Sequence, residues 1–509
     1  MLMLSALSAC EELDDNSDTE IAGCDFVVAV ADRLRREGAG EFAASAGKAL
    51  LNKGIALRRL NRHRDALVVF DEVVRCFGEA SEPDVRTRVA GALISKGLTL
   101  AELKRSEEEI AAYDEVVRRF GGDIEAGLPI RVAKALVNKG ITLGELKRSE
   151  EEIAVYEEVV RRFGEASEPA LREQVARSLW NKGLTLDELD RRSEALAAYD
   201  EVVRRFGEAG ELELREWVAW ALGSKARTLD VLGRGEDAVA AYDEVVRRFG
   251  EAGEPALRER VARALVSKGI ALSQLKRSDE GIAACDQAVR RFGEAGEPDV
   301  REQVAWALLV KGQMLRESKR SEDALAAYDD VLRRFGGASE LSLRERVVRA
   351  LIGKGMALRE LKRSEDAVAV YDEIVRRFGE ASEPDLQERL ANALVNKGVI
   401  LGELKRNEEE IAVYDDVLRR FGEANAPGLR EVVAKALVNK GITLRDLKRG
   451  EDAVAVYDDV VRRFGEATEP ELRKQARRAS KLRSALTAGP EGGTCREEST
   501  QLSLRITRI

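Results

Sequence analysis

The chain has little of what catalytic and metal sites are usually built from. It holds a single histidine, His63, among 509 residues, and five cysteines, none of which forms a CxxC pair. A Ser/His/Asp set and a glycine-rich phosphate loop are also missing from the sequence. We therefore predict that the protein is not an enzyme, that it has no cofactor and no metal site, and that His63 lies on a surface turn.

The chain also lacks a basic excess and long apolar runs. Its 84 Lys and Arg residues stand against 93 Asp and Glu residues, a net charge of −9, which argues against a nucleic-acid binder. No apolar run is long enough to cross a membrane, so we expect a cytoplasmic protein. One alternative stays open, because residues 7–10 match a lipoprotein cleavage box that would attach a lipid to Cys10, although no Lys or Arg precedes the run.

What the chain does have is one stretch, Ala135–Glu165, that returns at a fixed spacing. Its Gly140 recurs every 43 residues, and Ala226 fills the one slot where glycine is missing. The recurring glycines are Gly54, Gly97, Gly140, Gly183, Gly269, Gly312, Gly355, Gly398 and Gly441. Ten copies on one period indicate a stacked array of a single supersecondary unit rather than a globular domain with one core.

The first half of each copy predicts a helix of roughly 20 residues. Apolar residues recur there at helical spacing, as Val132, Leu136, Leu143 and Leu146. Gly140 lies beside this stripe and leaves room for a second helix to approach closely. Lys147 and Arg148 then end the helix, since cations suit its negative end.

The second half predicts a helix of roughly 15 residues, from Ser149 to Phe163. Ser149 and Glu152 have the spacing of a capping box, and Gly164 is expected to adopt the left-handed conformation that ends many helices. Pro169 follows in the first turn of the next copy, where its missing N–H costs nothing. One copy has Cys285 in place of the tyrosine of this helix, so we expect that cysteine in the core.

These residues resemble the tetratricopeptide repeat. The resemblance rests on a small residue in the first helix, an apolar residue three positions later, and a Glu or Ala four residues before a Tyr. In this chain they are Gly140, Leu143, Glu152 and Tyr156, or Gly355, Leu358, Ala367 and Tyr371. The usual unit has about 34 residues, and the extended first helix here is similar to the longer repeats of kinesin light chains. The resemblance implies an all-α, right-handed solenoid whose first helices line a concave groove for peptides or partner helices.

The repeats also predict how the chain is divided. Residues 1–39 read as a degenerate N-terminal repeat, because Glu20, Ile21 and Ala22 align with the start of a second helix. Ten regular repeats fill residues 40–469. Residues 470–487 begin one more first helix with a polar outer side, as a terminal cap requires, and residues 488–509 have the composition of a disordered tail.

Two slots keep the same charge in every regular copy. Lys139 precedes the helix-one glycine, and each other copy has Lys there, although the family resemblance predicts an apolar residue. An acid, Asp114 in one copy, always follows the Tyr position of the second helix. We expect the lysines to pair with these acids and to form a ladder along the solenoid, while a periodic anionic ligand remains an alternative.

Variable slots mark the candidate binding site on the first helices. One slot, called the outer slot below, includes cations and two tryptophans, and asparagines often follow it one turn later. The pairing of a cation with an amide resembles the carboxylate clamp of peptide-binding tetratricopeptide domains. The candidate residues are Lys134, Asn138, Arg177, Trp180, Asn181, Trp220, Arg263, Trp306 and Arg349. Either the indoles are binding hot spots among arginines, or they are simply buried between neighbouring first helices.

Two functions follow from this pattern. The first is a non-enzymatic protein–protein interaction scaffold that binds an acidic segment or a C-terminal carboxylate in the groove near Trp180 and Trp306. It would bind neither nucleic acid nor membrane. The alternative is a sensor or regulatory module detached from a larger effector enzyme, with catalysis encoded upstream of Met1. An open reading frame that continues upstream into a nuclease, protease or NTPase motif would decide for the second.

Overall fold

A computed structural model of the chain describes residues 21–22, 24–26, 28–29, 43–125 and 127–487, and all regular structure within them is helical. The helices that can be bounded are α1 (Ala43–Arg59), α2 (His63–Phe77), α3 (Pro83–Glu102), α4 (Ser106–Phe120), α5 (Leu128–Glu145), α6 (Ser149–Phe163), α7 (Pro169–Glu188), α8 (Arg192–Phe206), α9 (Leu212–Val231), α10 (Gly235–Phe249), α11 (Pro255–Gln274), α12 (Ser278–Phe292), α13 (Pro298–Glu317), α14 (Ser321–Phe335), α15 (Leu341–Glu360), α16 (Ser364–Phe378), α17 (Pro384–Glu403), α18 (Asn407–Phe421), α19 (Pro427–Asp446), α20 (Gly450–Phe464) and α21 (Pro470–Thr487). The predicted all-α solenoid of helix–turn–helix repeats is confirmed. Residues 1–20 and 488–509, including Cys10 and the predicted tail, lie outside the described residues.

The chain divides into two compact units, residues 1–252 and 253–509. In the first unit, each even-numbered helix from α2 to α8 packs against both odd-numbered helices that flank it in sequence, and α10 packs on α9. The odd-numbered helices α1, α3, α5, α7 and α9 also pack side by side. The second unit repeats this arrangement, with α12 to α20 packed on their flanking helices and α11 to α21 side by side.

The apolar stripes form the interior of each unit, as predicted, with one exception. Val132, Leu136 and Leu143 on α5 are buried, but Leu146 lies in the turn after the helix and is 37% exposed. On α6, Tyr156 is buried against Gly140 of α5. Cys285, which replaces the equivalent tyrosine in the second unit, is completely buried as predicted, and burial raises the pKa of its thiol to about 12.

The turn within each repeat differs from the predicted capping box. Arg148, not Ser149, is the N-cap residue of α6, and no side chain caps the helix. Arg148 instead donates to the carboxylate of Glu151 at 2.6 and 2.7 Å. Glu152 is therefore free to turn inward, where it is 8% exposed and hydrogen-bonded by Thr185 of the next repeat. The prediction was wrong because a cation at the N-cap attracts the second acid and leaves the third for the core.

The prediction that Gly164 takes a left-handed conformation was also wrong. Gly164 is right-handed (φ −60°), and the left-handed residue of the repeat is Lys147 in the turn between α5 and α6 (φ +58°). The glycine serves close approach instead, since Arg205 of the next repeat donates from Nη1 to the Gly164 carbonyl at 2.9 Å. A Cβ atom at Gly164 would stand 2.8 Å from that nitrogen.

The predicted ladder of lysines and acids is present in both units. Lys139 Nζ on α5 lies 2.5 Å from Asp114 Oδ1 on α4, and the lysine side chain is 21% exposed while the aspartate is 52% exposed. In the first unit, Lys96, Lys182 and Lys225 pair in the same way with Asp71, Glu157 and Asp200. In the second, Lys311, Lys354, Lys397 and Lys440 pair with Asp286, Asp329, Asp372 and Asp415. Each pair joins the second helix of one repeat to the first helix of the next.

Three further features bear on the sequence predictions. His63 begins α2, and its side chain is half-buried with Nδ1 3.1 Å from Glu102 Oε2, so the prediction of a freely exposed surface turn was wrong. On α21, Arg483 takes the place of the ladder lysine opposite Asp458, at 2.5 Å. Within the described residues, no helix combines the length and the apolar character needed to cross a bilayer.

Candidate partner-binding face of the odd-numbered helices

The predicted site residues all lie on odd-numbered helices, one repeat after another. Lys134 and Asn138 belong to α5, Arg177, Trp180 and Asn181 to α7, Trp220 to α9, Arg263 to α11, Trp306 to α13 and Arg349 to α15. The first six fall in the first unit and the last three in the second. The structure therefore contains two separate sets of candidate residues, one in each unit.

Tryptophan side chains meet between α7 and α9 in the first unit. The Trp180 ring centre lies 5.4 Å from that of Trp217 and 5.2 Å from that of Trp220, with tilted ring planes. The indole nitrogen of Trp180 donates to Ser224 Oγ at 3.1 Å. All three indoles are only half-buried. Each thus packs between neighbouring first helices and still presents part of its surface, so the two sequence hypotheses for the indoles are compatible.

The cations and amides beside this cluster do not form the clamp that the sequence suggests. Asn181 lies against the hydroxyl of Tyr156, so its amide contributes to the contacts of the repeat itself. Lys134 on the preceding first helix is fully exposed, and Arg177 is half-buried. In the second unit, Arg263 is exposed and pairs with the buried Glu259 of its own helix at 2.7 Å.

Trp306 in the second unit is covered by two arginines of the next first helix. The guanidinium carbon of Arg346 lies 4.4 Å from the Trp306 ring centre, and that of Arg349 lies 5.3 Å from it. Such cation–π contacts are worth about 0.5–2 kcal/mol each. Arg346 also donates to Glu302 Oε1 at 2.8 Å. Arg349 is therefore the predicted site residue that the fold does bring together with a predicted tryptophan.

A second set of site residues was not singled out from the sequence. It occupies the slot three residues before the outer slot, and we call it the inner slot. Its members are Ser45, Arg88, Arg131, Gln174, Trp217, Arg260, Gln303, Arg346, Arg389 and Val432, and Gln475 holds the same position on α21. Because residues three apart share a helix face, the variation at this slot was a signal that could have revealed it.

The inner slot of one helix lies over the outer slot of the helix before it. Arg346 stands over Trp306, 40 residues earlier. Arg131 has the same relation to Gly91 in the first unit, where a Cβ atom would lie 3.9 Å from the guanidinium carbon. We infer from the same 40-residue offset that Arg389 on α17 lies over Arg349 on α15.

The inner-slot arginines are half-buried, and two of them are paired with acids, Arg260 with Glu259 and Arg346 with Glu302. Burial lowers the pKa of Arg88, Arg131 and Arg389 below its ordinary value. The pKa of Arg349 is lowered to about 10, mainly by burial and also by the positive charges of the nearby Arg389 and Arg346. Buried side-chain nitrogens without a hydrogen-bond partner in the described structure are Nη1 of Arg88 and Nε of Arg346, Arg349 and Arg389. Unpaired buried donors are unusual in proteins.

The helix pairs, their packing and this periodic face define a helix–turn–helix repeat protein. A family model described as "Tetratricopeptide repeat" matches residues 51–124, 224–296 and 309–382. These three segments therefore match the tetratricopeptide-repeat family, as the residues of the repeats predict.

Several solved structures are similar to the chain over much of its length. The apo form of RapI is 13% identical, with 70% of this chain and 99% of that chain covered and a TM-score of 0.44. The apo quorum sensor NprR from B. thuringiensis is 12% identical, with 72% and 97% covered and a TM-score of 0.41. A signal transduction ATPase with a tetratricopeptide repeat sensor from Pyrococcus horikoshii is 12% identical, with 78% and 55% covered and a TM-score of 0.41. These similarities concern the fold alone, and no curated protein matches the chain in sequence.

Proposed function

We propose that the protein is a non-enzymatic interaction scaffold that binds acidic peptide or partner segments on the exposed face of its odd-numbered helices. Repeats of this family generally form interaction or sensor modules without catalytic activity. The observation that supports the proposal is the presence, in each unit, of half-buried arginines with unpaired nitrogens on the same helix face as partly exposed indoles. A partner other than nucleic acid belongs to the proposal on the grounds of the net negative charge, and a cytoplasmic setting is proposed with it.

The chemistry of these side chains suits an acidic partner. Arginine presents a planar fork of donors that matches a carboxylate, and hydrogen bonds between charged groups are about twice as strong as neutral ones. A half-buried guanidinium with an unpaired donor has already lost part of its hydration in the free protein. A carboxylate that binds there replaces the lost hydrogen bonds to water. Indoles beside the arginines add the apolar contact area on which binding hot spots depend.

Each unit contributes its own part of this surface. In the first unit, Trp180 and Trp220 offer an aromatic surface beside Arg177, with Lys134 and Asn138 one repeat earlier. In the second, Trp306 and Arg349 form the corresponding set, and Arg263 is exposed two repeats earlier. A C-terminal carboxylate or an acidic side chain fits either set.

Peptide binding by the full chain tests the proposal. A degenerate fluorescent peptide library rich in Asp and Glu, with a free C-terminus, is titrated against wild type and against the Trp220→Ala/Arg263→Ala double variant. Loss of hot-spot side chains costs about 2 kcal/mol or more, so binding should weaken roughly 30-fold. Each single variant then shows which unit holds the site.

The matched control removes two arginines from even-numbered helices of the same chain. Arg118 and Arg161 are 68% and 72% exposed on α4 and α6. The Arg118→Ala/Arg161→Ala variant should bind the library as wild type does. Equal binding by wild type and the Trp220→Ala/Arg263→Ala variant would contradict the proposed site, and so would an equal loss in the control.

A further inference from the structure

Two arginines on neighbouring odd-numbered helices of the second unit are held close to each other without an acidic partner. The 40-residue offset that places Arg346 over Trp306 also places Arg389 of α17 over Arg349 of α15. Each of the two has a buried Nε atom with no hydrogen-bond partner in the described structure. Among these slots of the second unit, Arg349 and Arg389 are the one pair that combines two cations, and in the first unit Arg88 falls opposite Lys48 by the same offset.

The acids nearby do not neutralise this pair. Within the described residues, no acidic side chain forms an ion pair with Arg349 or Arg389, although Glu345 and Asp385 lie near enough to act on both through space. The third arginine of the cluster, Arg346, already donates to Glu302. Two guanidinium groups are thus left with unused donors, and together they carry two positive charges.

We propose that Arg349 and Arg389, with Arg346 and Trp306 beside them, form a binding site for the doubly charged phosphoryl group of a phosphorylated side chain on a protein partner. The inference rests on the proposed function and narrows the acidic partner to a phosphorylated one. A phosphoryl group carries a charge of about −1.5 to −2 at neutral pH and presents three strong acceptor oxygens. The negative charge of the phosphoryl group balances the positive charges of the two arginines, and its oxygens offer acceptors to both guanidinium forks.

Other anions match the cluster less well. A carboxylate carries one charge and two oxygens, so it satisfies only one guanidinium fork. A nucleic acid would bring a row of phosphates past Glu302, Glu345, Asp385 and Glu388, which lie on the same helices, and would be repelled by them. A single dianion held by the two guanidinium groups is repelled by fewer of these acids than a row of phosphates is.

The test compares three degenerate peptide libraries that share the same flanking positions and differ only at the centre, which is phosphoserine, glutamate or serine. The full chain should bind the phosphoserine library at least about 10-fold more tightly than the glutamate library, because a carboxylate satisfies one guanidinium fork whereas a phosphoryl group has the charge and the acceptor oxygens to engage both. Inorganic phosphate should compete with the phosphoserine library. The Arg349→Gln/Arg389→Gln variant should lose this preference.

The control variant Arg333→Gln/Arg419→Gln removes two arginines that are 70% and 74% exposed on α14 and α18 of the same unit. It has the same net charge as the site variant and should keep the wild-type preference. A melting curve confirms that both variants are folded. Arg349→Lys serves as a second site variant that keeps the charge but removes the fork, and it should bind phosphoserine more weakly than wild type.

The proposal is overturned if phosphoserine is bound no more tightly than glutamate, if both double variants lose the preference equally, or if a single-stranded oligonucleotide displaces the peptide more effectively than inorganic phosphate does. The glutamate library reports separately on the proposed function. If it binds in a way that depends on Trp220 and Arg263 but phosphoserine gives no advantage, the scaffold proposal stands and only the phosphoryl site fails.

Discussion

Gly140 on α5 lies directly against the ring of Tyr156 on α6, so that a Cβ atom at Gly140 would stand 2.4 Å from the ring carbon Cε1. Real Cβ atoms do not approach other atoms so closely, so even a methyl group forces the two helices or the ring to move. The one repeat with alanine at this slot, Ala226, shows the consequence. Its tyrosine, Tyr242, is 8% exposed, whereas Tyr199 in the preceding repeat is completely buried.

Replacing Gly140 by alanine should therefore destabilise the protein. Overpacking a filled core costs about 1–3 kcal/mol, which outweighs the gain of up to about 1 kcal/mol that alanine brings to a helix. Urea unfolding of wild type and Gly140→Ala, followed by circular dichroism, measures the difference in the free energy of unfolding.

Gly223 on α9 provides the control for this variant. It also lies within a first helix, but a Cβ atom there would meet no atom within 4 Å. Gly223→Ala should stabilise the protein by up to about 1 kcal/mol, because only the helix propensity changes. If both variants shifted stability in the same direction, close packing on Tyr156 would not be the reason for the glycine at position 140.

Arg204 and Arg205 are neighbours on α8 that bind the same acid within the helix, but only one of them also contacts the preceding repeat. Both donate to Glu201, whereas only Arg205 also donates to the Gly164 carbonyl of the preceding repeat, at 2.9 Å. Arg205→Ala should lower the free energy of unfolding by about 1–2 kcal/mol, because it leaves that carbonyl without its partner. Arg204→Ala, at a side chain that is 67% exposed, should cost less than about 0.5 kcal/mol.

Chemical unfolding of the two alanine variants side by side makes the comparison. Equal losses would mean that the contact between repeats contributes nothing beyond the pair within the helix. The same contact recurs from Arg162 to Gly121 and from Arg248 to Gly207 in this unit, so the result should transfer to those repeats.

Glu410 on α18 should make stability depend on pH in the near-neutral range. The pKa of its carboxyl is raised to about 7, mainly by burial and also by the charge of Asp446 on α19, while hydrogen bonds from Thr443 and Tyr414 act in the opposite direction. In the unfolded chain the pKa is about 4.3. Folding therefore takes up a proton between these values, and stability present below about pH 4.3 is lost as the pH rises to about 7.

The Glu410→Gln variant isolates this effect. On account of this group, the wild type should lose on the order of 2 kcal/mol of unfolding free energy between about pH 4.5 and 7.5, and the variant should lack that part of the slope. Glu423→Gln, at an exposed position after the same helix, should reproduce the wild-type profile. Parallel profiles for wild type and Glu410→Gln would show that Glu410 does not change protonation on folding.

The ladder pair of Lys139 and Asp114 should contribute only modestly to stability. Its distance of 2.5 Å indicates a direct contact, but the aspartate is 52% exposed and is well hydrated in the absence of the lysine. Exposed ion pairs are typically worth about 0.2–1 kcal/mol. A double-mutant cycle of Lys139→Met and Asp114→Asn should give a coupling energy in that range that decreases with added salt. A coupling above about 2 kcal/mol, or one insensitive to salt, would contradict this view of the ladder.

Much of the fold could be predicted because the chain carries ten versions of the same local information. The 43-residue period, the helix lengths and the ladder all appear as slots that keep one property in every copy. The lysine before Gly140 was predicted to pair with the acid after the tyrosine because both slots never vary, and the structure confirms it. Comparing the copies separates the features that occur in single copies from the shared features that the fold requires.

Contacts that depend on choosing among several partners could not be predicted in this way. The sequence Ser149–Glu152 satisfies the capping-box pattern. Arg148 is nevertheless the N-cap residue, and it binds Glu151, so Glu152 does not cap the helix start. One signal was nevertheless present. Glu152 faces Gly144 and Glu410 faces Gly402, with a virtual Cβ within 3 Å of each carboxylate, so large and small residues alternate between the two helices.

The candidate site was only partly accessible for a related reason. The outer slot could be recognised from one helix, but the inner slot matters because it covers the outer slot of the preceding odd-numbered helix, 40 residues earlier. That offset is set by how the odd-numbered helices pack, and a single repeat does not contain it. Arg349 was therefore singled out as a cation, while its companion Arg389 was not.

Each kind of contact that joins repeats in the first unit keeps its own constant separation along the chain. Lys139 reaches back 25 residues to Asp114, and Lys182 reaches back 25 residues to Glu157. If recombination between neighbouring copies removed one of them, Lys182 would arrive opposite Asp114 and the same pair would form again. Gene variants that differ by whole copies should thus fold equally well, and selection can lengthen or shorten the surface offered to partners without redesigning any junction.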